Sequence, residues 1–397
     1  MKIVITTFTY YPNLDGVAEA TRFLAESLAE LGHEIVVITS ITHDERLESL
    51  HNKLRIVRYK LVNFHFLSCV GDPSETDRYR KSLFKENPDL LICACWDAWP
   101  TVLGLPVLKK LSCPKILVSH GFSSHLKPRS APPPFFGFGQ WWHGIIWTAN
   151  YIPKLIKAFD RFVFLAALKD KKRFIDHAVM SFLDQQAVRI IPNSPNLEPF
   201  SELPNDFREH YGIKSGLMIL CVANFSERKN QELAVNSFFE TGIPGSTLVC
   251  IGSEKNDYFD KVSALVRKKE SSHPDQKVLL LTGMTRVDTM KAYDACDMTL
   301  LTAHQETQPI VLIESMAFSK PWIATSSGCI PEMEGGVVVN SQHELVRRLK
   351  EFMKDPDLTA RLGAEGRSAF ERRYQQTAVK AQWEKLIDEV SPNAPSL

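Results

Sequence analysis

The chain lacks an excess of charge of either sign, because its 397 residues carry 47 Lys and Arg against 46 Asp and Glu. Nucleic acids attract a basic surface, so this balance leads us to expect no nucleic-acid partner. The eight cysteines contain no CxxC pair, which argues against a structural zinc site. Most of them fall in apolar runs such as Leu90–Cys95, and we expect reduced core residues of a cytoplasmic protein.

Signals for export or for a membrane span are also missing. The chain opens directly into the apolar run Lys2–Thr7, without the basic start and long apolar core of a secretory signal. One stretch, Ser130–Pro153, has no Asp, Glu, Lys or Arg, but prolines, glycines and polar residues interrupt it too often for a comfortable span. Over 132–157, Trp and Tyr stand beside lysines. This suits a peripheral contact with the inner membrane face or a greasy acceptor, and equally a buried loop and helix, so both readings stay open.

Apolar runs of strand length alternate with helix-length segments along the chain. The first forty residues predict a strand ending near Thr7, a helix with one apolar stripe that stops at Gly32, and a second strand at Glu34–Thr39. This alternation predicts a parallel sheet covered by helices on both faces. Further strands of this first half are predicted at Asp89–Cys95, Lys115–Ser119, Arg161–Leu165 and Val188–Ile191.

The same alternation begins again after the turn-rich segment Ile191–Pro199. We therefore predict one domain at 1–195, a second at 196–375, and a last helix within 376–397 that packs back on the first. Two doubly wound domains would place the carboxyl ends of their strands across one cleft, where ligands of such sheets bind. Strands of the second domain are predicted at Leu217–Ala223, Thr247–Ile251, Val278–Thr282, Met298–Leu301, Trp322–Thr325 and Val337–Val339, and helices at Asn230–Glu240, Tyr258–Lys269, Val287–Ala295, Pro309–Phe318 and Glu344–Lys354.

Two glutamates, Glu306 and Glu314, flank the start of one of these helices. Pro309 suits the first helical position, and the residues after it are apolar, so Glu314 falls inside an apolar helix. A carboxylate there is costly unless something hydrogen-bonds to it. An acceptor-only group suits a ligand with hydroxyl donors, such as a ribose or a hexose. A core hydrogen bond for Glu314, and a dipole-favoured acid at a helix start for Glu306, are the simpler alternatives.

The stretch Glu306–Glu314, continued by Ser315–Pro321, resembles the E-x7-E signature of retaining glycosyltransferase family four. That resemblance implies the GT-B fold, an α/β architecture with two Rossmann-like domains, the first on the acceptor side and the second binding the nucleotide-sugar. It extends over nearly the whole chain, since other segments follow in the family's order. These segments are Gly16–Thr39 (glycine loop, helix and strand), Val222–Asn230 (donor loop), Tyr293–Asp297 and Ser327–Glu332.

The resemblance further implies transfer of a hexose-type sugar from a nucleoside-diphosphate sugar to a hydroxyl of a glycan or a lipid-linked acceptor. Transfer would retain the anomeric configuration and need no metal or other cofactor. The implied catalytic residues are Glu306, near the reacting carbon, and His120, beside the sugar. The implied donor-binding residues are Gly16 and Lys229 with Arg228 at the diphosphate, Thr307 and Gln308 after the first glutamate, and Glu314 at the ribose.

Some residues depart from the family pattern. Asn224 stands where the family has a donor-binding arginine. Thr-Gln-Pro at 307–309 replaces the family's Gly-Phe-Gly after the first glutamate, and Ser194 replaces its glycine after the linker asparagine. A binding subunit without catalysis and a nucleotide-sugar epimerase are therefore the rival classes. Arg228 and Lys229 would also suit a solvated loop, His120 the end of a buried strand, and Gly16 a simple turn. The Asp-x-Asp at 355–357 lies between predicted surface helices, so we assign it no metal.

Overall fold

The computed structural model describes residues 1–13, 15–41, 47–51, 53–64, 68–70, 72–122, 149–171, 173–197, 206–213 and 216–391. The chain divides into two compact units. Unit 1 comprises Met1–Pro192 with Val379–Leu397, and unit 2 comprises Asn193–Ala378. Each unit contains one large, mainly parallel sheet with helices, so the predicted α/β class is confirmed. Within the described ranges, no helix is both long and apolar enough to cross a bilayer.

The strands and helices are numbered in chain order. The strands are β1 Lys2–Thr6, β2 Glu34–Ser40, β3 Leu47–His51, β4 Leu54–Tyr59, β5 Val62–Phe64, β6 Ser68–Val70, β7 Leu90–Ala94, β8 Lys115–Ser119, β9 Arg161–Phe164, β10 Val188–Ile190, β11 Met218–Val222, β12 Thr247–Gly252, β13 Lys277–Thr282, β14 Met298–Leu301, β15 Trp322–Thr325 and β16 Gly336–Val339. The helices are α1 Gly16–Glu30, α2 Pro73–Glu86, α3 Trp99–Leu108, α4 149–156, α5 Asp176–Phe182, α6 Phe207–His210, α7 Gln231–Thr241, α8 Asp257–Glu270, α9 Arg286–Ala295, α10 Ile310–Ala317, α11 Gln342–Lys354, α12 Pro356–Ala369 and α13 Gln376–Val390.

Unit 1 is built on an eight-stranded sheet in the order β10-β9-β8-β7-β1-β2-β4-β3. Among the described strands of this sheet, only β3 runs antiparallel to its neighbour. The strands β5 and β6 pair antiparallel in a separate two-stranded sheet. The strand order reverses between β1 and β7, and the carboxyl ends of both open on the same edge. Residue Asp15 caps α1 after β1, accepting the backbone N–H groups of Val17 and Ala18 at 3.0 Å each. One face of α13 packs into the same core cluster as β1 and β2, through Val379, Trp383, Leu386 and Ile387.

Four strands, β3, β4, β5 and β6, are not predicted from the sequence. The strand β4 was missed because Arg55 and Arg58 interrupt its apolar alternation. The structure shows how a buried strand accommodates the second arginine. Arg58 is 2% exposed as a whole residue. It donates to the carbonyl of Tyr11 at 2.6 Å and to that of Ser40 at 3.3 Å. These bonds satisfy a charge that would otherwise be excluded from the interior.

Unit 2 has a parallel six-stranded sheet in the order β13-β12-β11-β14-β15-β16. The order reverses between β11 and β14, which pair directly, with Ile219 opposite Met298. That reversal is where ligands of doubly wound sheets bind. The predicted helix start at Pro309 is wrong by one residue. Pro309 has an extended ψ of 114° and is the N-cap, so α10 begins at Ile310.

The segment 132–157, predicted either to contact a membrane or to pack on the core, is described only in part, since 132–148 lie outside the described residues. In the part that follows, Tyr151 and Leu155 of α4 are buried in the core of unit 1. The Tyr151 hydroxyl donates to the Trp96 carbonyl at 2.7 Å. Lys154 and Lys157 on the same segment are exposed. Residues 149–156 therefore pack as a helix on the core, and the membrane contact stays a prediction for the preceding residues.

Seven cysteines have described side chains, and all seven are free and buried, as expected from their apolar neighbours: Cys93, Cys95, Cys113, Cys221, Cys250, Cys296 and Cys329.

Candidate functional site

An ion pair between Lys229 and Glu306 lies at the strand-order reversal of unit 2. Lys229 is on the loop after β11, and Glu306 is on the loop after β14. Because these two strands are adjacent and parallel, both loops leave the same edge of the sheet. The Lys229 ammonium donates to Oε1 of Glu306, with side-chain exposures of 15% and 9%. A cation and an acceptor-only carboxylate are therefore held side by side, largely shielded from water.

The backbone at Glu306 is fixed from the loop after β15. The Ser327 hydroxyl accepts the Glu306 N–H at 2.8 Å and donates to the Glu306 carbonyl at 3.2 Å. Gly328 lies against the same carbonyl, with a positive φ of 53°. A Cβ at Gly328 would come within 2.1 Å of that oxygen and 2.4 Å of the Thr307 carbonyl. Since the backbone is held this closely, Glu306 can change partners only by rotating its side chain.

Glu314 occupies the interior of α10, where it is 3% exposed. Its Oε1 accepts from Nη2 of Arg286 at 2.5 Å. Tyr293 stands beside it, and its hydroxyl donates to the Val311 carbonyl at 3.0 Å. Burial, and then the Glu314 carboxylate, raise the pKa of Tyr293 well above its ordinary range, so this hydroxyl keeps its proton. The predicted burial of Glu314 is correct, but no motif in the sequence marked Arg286 as its partner.

The two residues after Glu306 make contacts within unit 2. The Thr307 carbonyl accepts the Cys329 N–H at 2.9 Å. The Gln308 side-chain oxygen accepts the Asn193 N–H at 2.7 Å, and both residues are buried. These contacts shape the segment that leads from Glu306 into α10. For Gln308 they also supply a structural role that the sequence did not suggest.

Arg228 and Asn224, on the loop after β11, form hydrogen bonds with neighbouring loops of unit 2. Arg228 is exposed, and its Nη1 donates to the Gln305 carbonyl at 3.1 Å. It therefore lies against the loop that carries Glu306. Asn224 accepts the Ser253 N–H at 3.2 Å through its side-chain oxygen. Because Asn224 carries no charge, the cations of this loop are Arg228 and Lys229.

His120 and Gly16 belong to unit 1, at the carboxyl edge of its sheet. His120 follows β8 directly, and burial lowers its pKa to about 4, although the charge of Asp15 opposes that shift. Gly16 is the exposed first residue of α1, and a Cβ there would meet nothing within 4 Å. The packing of the protein thus does not require a glycine, which leaves room for a ligand to approach this backbone.

Asp176 is a residue near His120 that the sequence analysis missed. It is fully buried and accepts from the Ser119 hydroxyl and from the Phe122 N–H, both at 2.6 Å. Burial raises its pKa to about 6 against the effect of these two bonds. Because Ser119 and Phe122 flank His120 along the chain, Asp176 fixes the backbone that presents the imidazole.

We expect the His120 imidazole to be neutral throughout pH 5–8, because burial disfavours its charged form. Its ring resonances should therefore show no titration over this range, while an exposed histidine titrates near 6.5. Two-dimensional NMR of the imidazole groups, with the signal assigned from a His120→Asn variant, measures this directly. A titration midpoint between 6 and 7 for His120 would contradict the expected environment.

The described residues contain no group of three His, Cys, Asp or Glu side chains arranged to hold a metal ion. One aspartate of the Asp-x-Asp at 355–357 caps a helix. Asp355 is the N-cap of α12, and its Oδ1 accepts the Leu358 N–H at 2.9 Å.

Among the predicted site residues, the structure brings Lys229, Arg228 and the segment 306–308 together on the loops after β11 and β14. Glu314 lies on the adjoining helix α10, where it pairs with Arg286 of α9. His120 and Gly16 belong to unit 1.

Comparison with known protein families defines the class. Residues 14–197 match the family model described as Glycosyltransferase Family 4, and residues 205–369 match that described as Glycosyl transferases group 1. Taken together, the two matches span most of the chain and support a glycosyltransferase with the GT-B fold, of the family 4 and group 1 type. This confirms the resemblance at the level of fold and enzyme class.

Particular relatives extend the comparison to the whole chain. The chain is 24% identical over 389 residues to alpha-monoglucosyldiacylglycerol synthase of Acholeplasma laidlawii, covering 91% of this chain and 90% of the relative. Among solved structures, it is similar to sucrose-phosphate synthase from Thermosynechococcus elongatus, with a TM-score of 0.76, 18% identity and 98% of both chains covered. It is also similar to Anabaena HepE in complex with UDP-glucose, with a TM-score of 0.72, 14% identity, and 98% of this chain and 100% of that chain covered.

Proposed function

We propose that the protein transfers a hexose-type sugar from a nucleoside-diphosphate sugar to a hydroxyl of a glycan or lipid-linked acceptor. The transfer retains the anomeric configuration and proceeds without a metal. The observation that carries this proposal is the Lys229–Glu306 pair at the strand-order reversal of unit 2, next to the start of α10. It combines a cation for a phosphate with an acceptor for sugar hydroxyls at the place where such sheets bind ligands.

Donor binding follows from these groups. The diphosphate takes the Lys229 ammonium as its main cation, and Arg228 on the neighbouring residue adds a second charge. The N-terminus of α10, which no side chain in the described part of the chain caps, contributes N–H groups and the positive end of the helix dipole. About 6 Å further along the helix, at 1.5 Å per residue, Glu314 accepts the ribose hydroxyls.

The reaction step breaks the bond between the anomeric carbon and the diphosphate oxygen. The acceptor oxygen forms its bond to that carbon on the same face, and its proton passes to the departing phosphate oxygen. Lys229 and the α10 N–H groups stabilise the charge that develops on this leaving group. Glu306, released from Lys229 by the diphosphate, stabilises the positive charge that develops on the sugar. His120, as a neutral imidazole, holds a sugar hydroxyl.

The comparisons support a nucleotide-sugar donor and a lipid-linked acceptor. Anabaena HepE was solved in complex with UDP-glucose. The Acholeplasma laidlawii relative is named for an alpha-glucosyl product on diacylglycerol, which also supports retention when the donor carries an alpha-linked phosphate. A lipid-linked acceptor would further suit the predicted membrane contact of 132–157. We take the inner face of the membrane as the place of action.

The function is tested by incubating the protein with UDP-, GDP- and ADP-sugars and a panel of glycan and glycolipid acceptors. We expect one donor to give a product with retained configuration by NMR, at a rate unchanged by EDTA. Lys229→Ala should reduce this rate at least 100-fold, while Lys354→Ala, an exposed lysine on α11, should leave it unchanged. Nucleotide binding without transfer to any acceptor would indicate a binding subunit. A changed donor in the absence of acceptor would indicate an epimerase.

A further inference from the structure

We infer that Arg286 is a positioning residue that orients the Glu314 carboxylate toward the ribose of the bound nucleotide. The inference rests on the proposed function, because it assigns a role at the same nucleotide site. Arg286 is the first residue of α9, after the loop that leaves β13. Its Nη2 donates to Oε1 of Glu314 at 2.5 Å.

The Arg286 guanidinium connects three segments of unit 2. Besides Glu314 of α10, it reaches the carbonyl of Asn196, from Nη2 at 3.1 Å and from Nε at 3.4 Å. Tyr293 is seven residues further along α9, two turns on, and lies on the same face toward α10. Two groups of α9 therefore hold the Glu314 carboxylate in place: the Arg286 guanidinium and the buried side chain of Tyr293.

The geometry favours a role in orientation over a simple structural ion pair. A carboxylate has about four lone-pair sites, of which the Arg286 bond occupies one and the neighbouring Tyr293 hydroxyl at most one more, so acceptor sites remain for two ribose hydroxyls. A buried carboxylate deprived of its cation is strongly disfavoured in its charged form. Without Arg286, Glu314 would rotate or take up a proton, and a protonated carboxyl loses acceptor capacity. A lysine would restore charge but could not bridge carboxylate and carbonyl with a rigid fork.

The test measures ribose recognition by calorimetry on the full chain. The probes are the nucleoside diphosphate that the wild type binds best and its 2′,3′-dideoxy analogue. We expect wild type to prefer the ribonucleotide at least 10-fold. Arg286→Met should reduce that preference below 3-fold by weakening ribonucleotide binding alone, and Arg286→Lys should give an intermediate value. Glu314→Gln combined with Arg286→Met should reduce the preference no further than either change alone.

Each outcome has a defined meaning. If wild type binds none of UDP, GDP or ADP, the proposed function fails. If wild type prefers the ribonucleotide and Arg286→Met keeps that preference, or weakens both probes equally, the role of Arg286 is overturned while the function stands. Arg347→Met, an exposed arginine on α11 of the same unit, is the matched control and should behave as wild type. Should Arg286→Met fold poorly by circular dichroism, the intermediate preference of Arg286→Lys decides.

Discussion

Glu306→Gln is expected to bind a nucleoside diphosphate about fivefold more tightly than wild type while losing at least 100-fold in transfer rate. The tighter binding follows from the ion pair with Lys229, which the diphosphate must displace. A pair of this partial exposure contributes about 1 kcal/mol, and removing that competition corresponds to about fivefold in affinity. The loss of transfer follows because a neutral amide stabilises the developing charge on the sugar far less than a carboxylate.

Nucleotide affinity should rise while the transfer rate falls, so the two effects of Glu306→Gln have opposite signs. General damage to the protein would lower both. Lys229→Met should weaken nucleotide binding at least 10-fold, since it removes the phosphate's main cation. Glu365→Gln, an exposed glutamate on α12, is the control and should match wild type in both assays. Calorimetry gives the affinity, and initial rates give transfer. If Glu306→Gln bound the nucleotide no better than wild type, Glu306 and the diphosphate would not compete for Lys229.

Gly328→Ala is expected to reduce the transfer rate by at least three orders of magnitude. The new Cβ would lie 2.1 Å from the Glu306 carbonyl and 2.4 Å from the Thr307 carbonyl. Both contacts are to backbone, so the segment that carries Glu306 must move. A displacement of about 1 Å of a catalytic group already costs about 100-fold in rate. Here the Ser327 bonds to the same backbone would be disturbed as well.

Gly245→Ala provides a matched control for backbone strain. Gly245 has a φ of 71°, close to the left-handed region of Gly328, but a Cβ there would meet nothing within 4 Å. Both variants should lose similar stability from the positive φ, by about 1 kcal/mol, with Gly328→Ala losing more from the clash. Thermal unfolding and transfer rates are measured on both. Equal transfer by the two variants would mean that the Glu306 backbone position does not matter for the reaction.

Most of the fold could be predicted from the sequence where apolar runs are continuous. The strands β14 and β15 were predicted with the observed bounds, because both are buried on two faces and carry no charge. Between residues 47 and 70 the prediction failed, because the strands are short and the alternation of β4 includes arginines. The stabilisation of Arg58 by distant carbonyl groups could not be deduced from its neighbours in sequence.

The residues of the candidate site could be predicted from the sequence, but the contacts between them could not. The spacing of Glu306 and Glu314 correctly indicated one loop residue and one buried helix residue. The partners of these carboxylates, Lys229 and Arg286, are 77 and 28 positions away. Neither pairing follows from periodicity, because it depends on which strands become neighbours in the sheet. A buried acid in an apolar helix does signal that some partner exists, and Arg286 at the start of α9 is that partner.

The most direct test of the central claim is a crystal structure of the full chain with the nucleoside diphosphate that it binds best. We expect the diphosphate at the Lys229 ammonium, with Glu306 rotated away from it, and the ribose hydroxyls within hydrogen-bonding distance of Glu314. A nucleotide bound with its ribose remote from α10, and with the Lys229–Glu306 pair intact, would show that this is not the donor site.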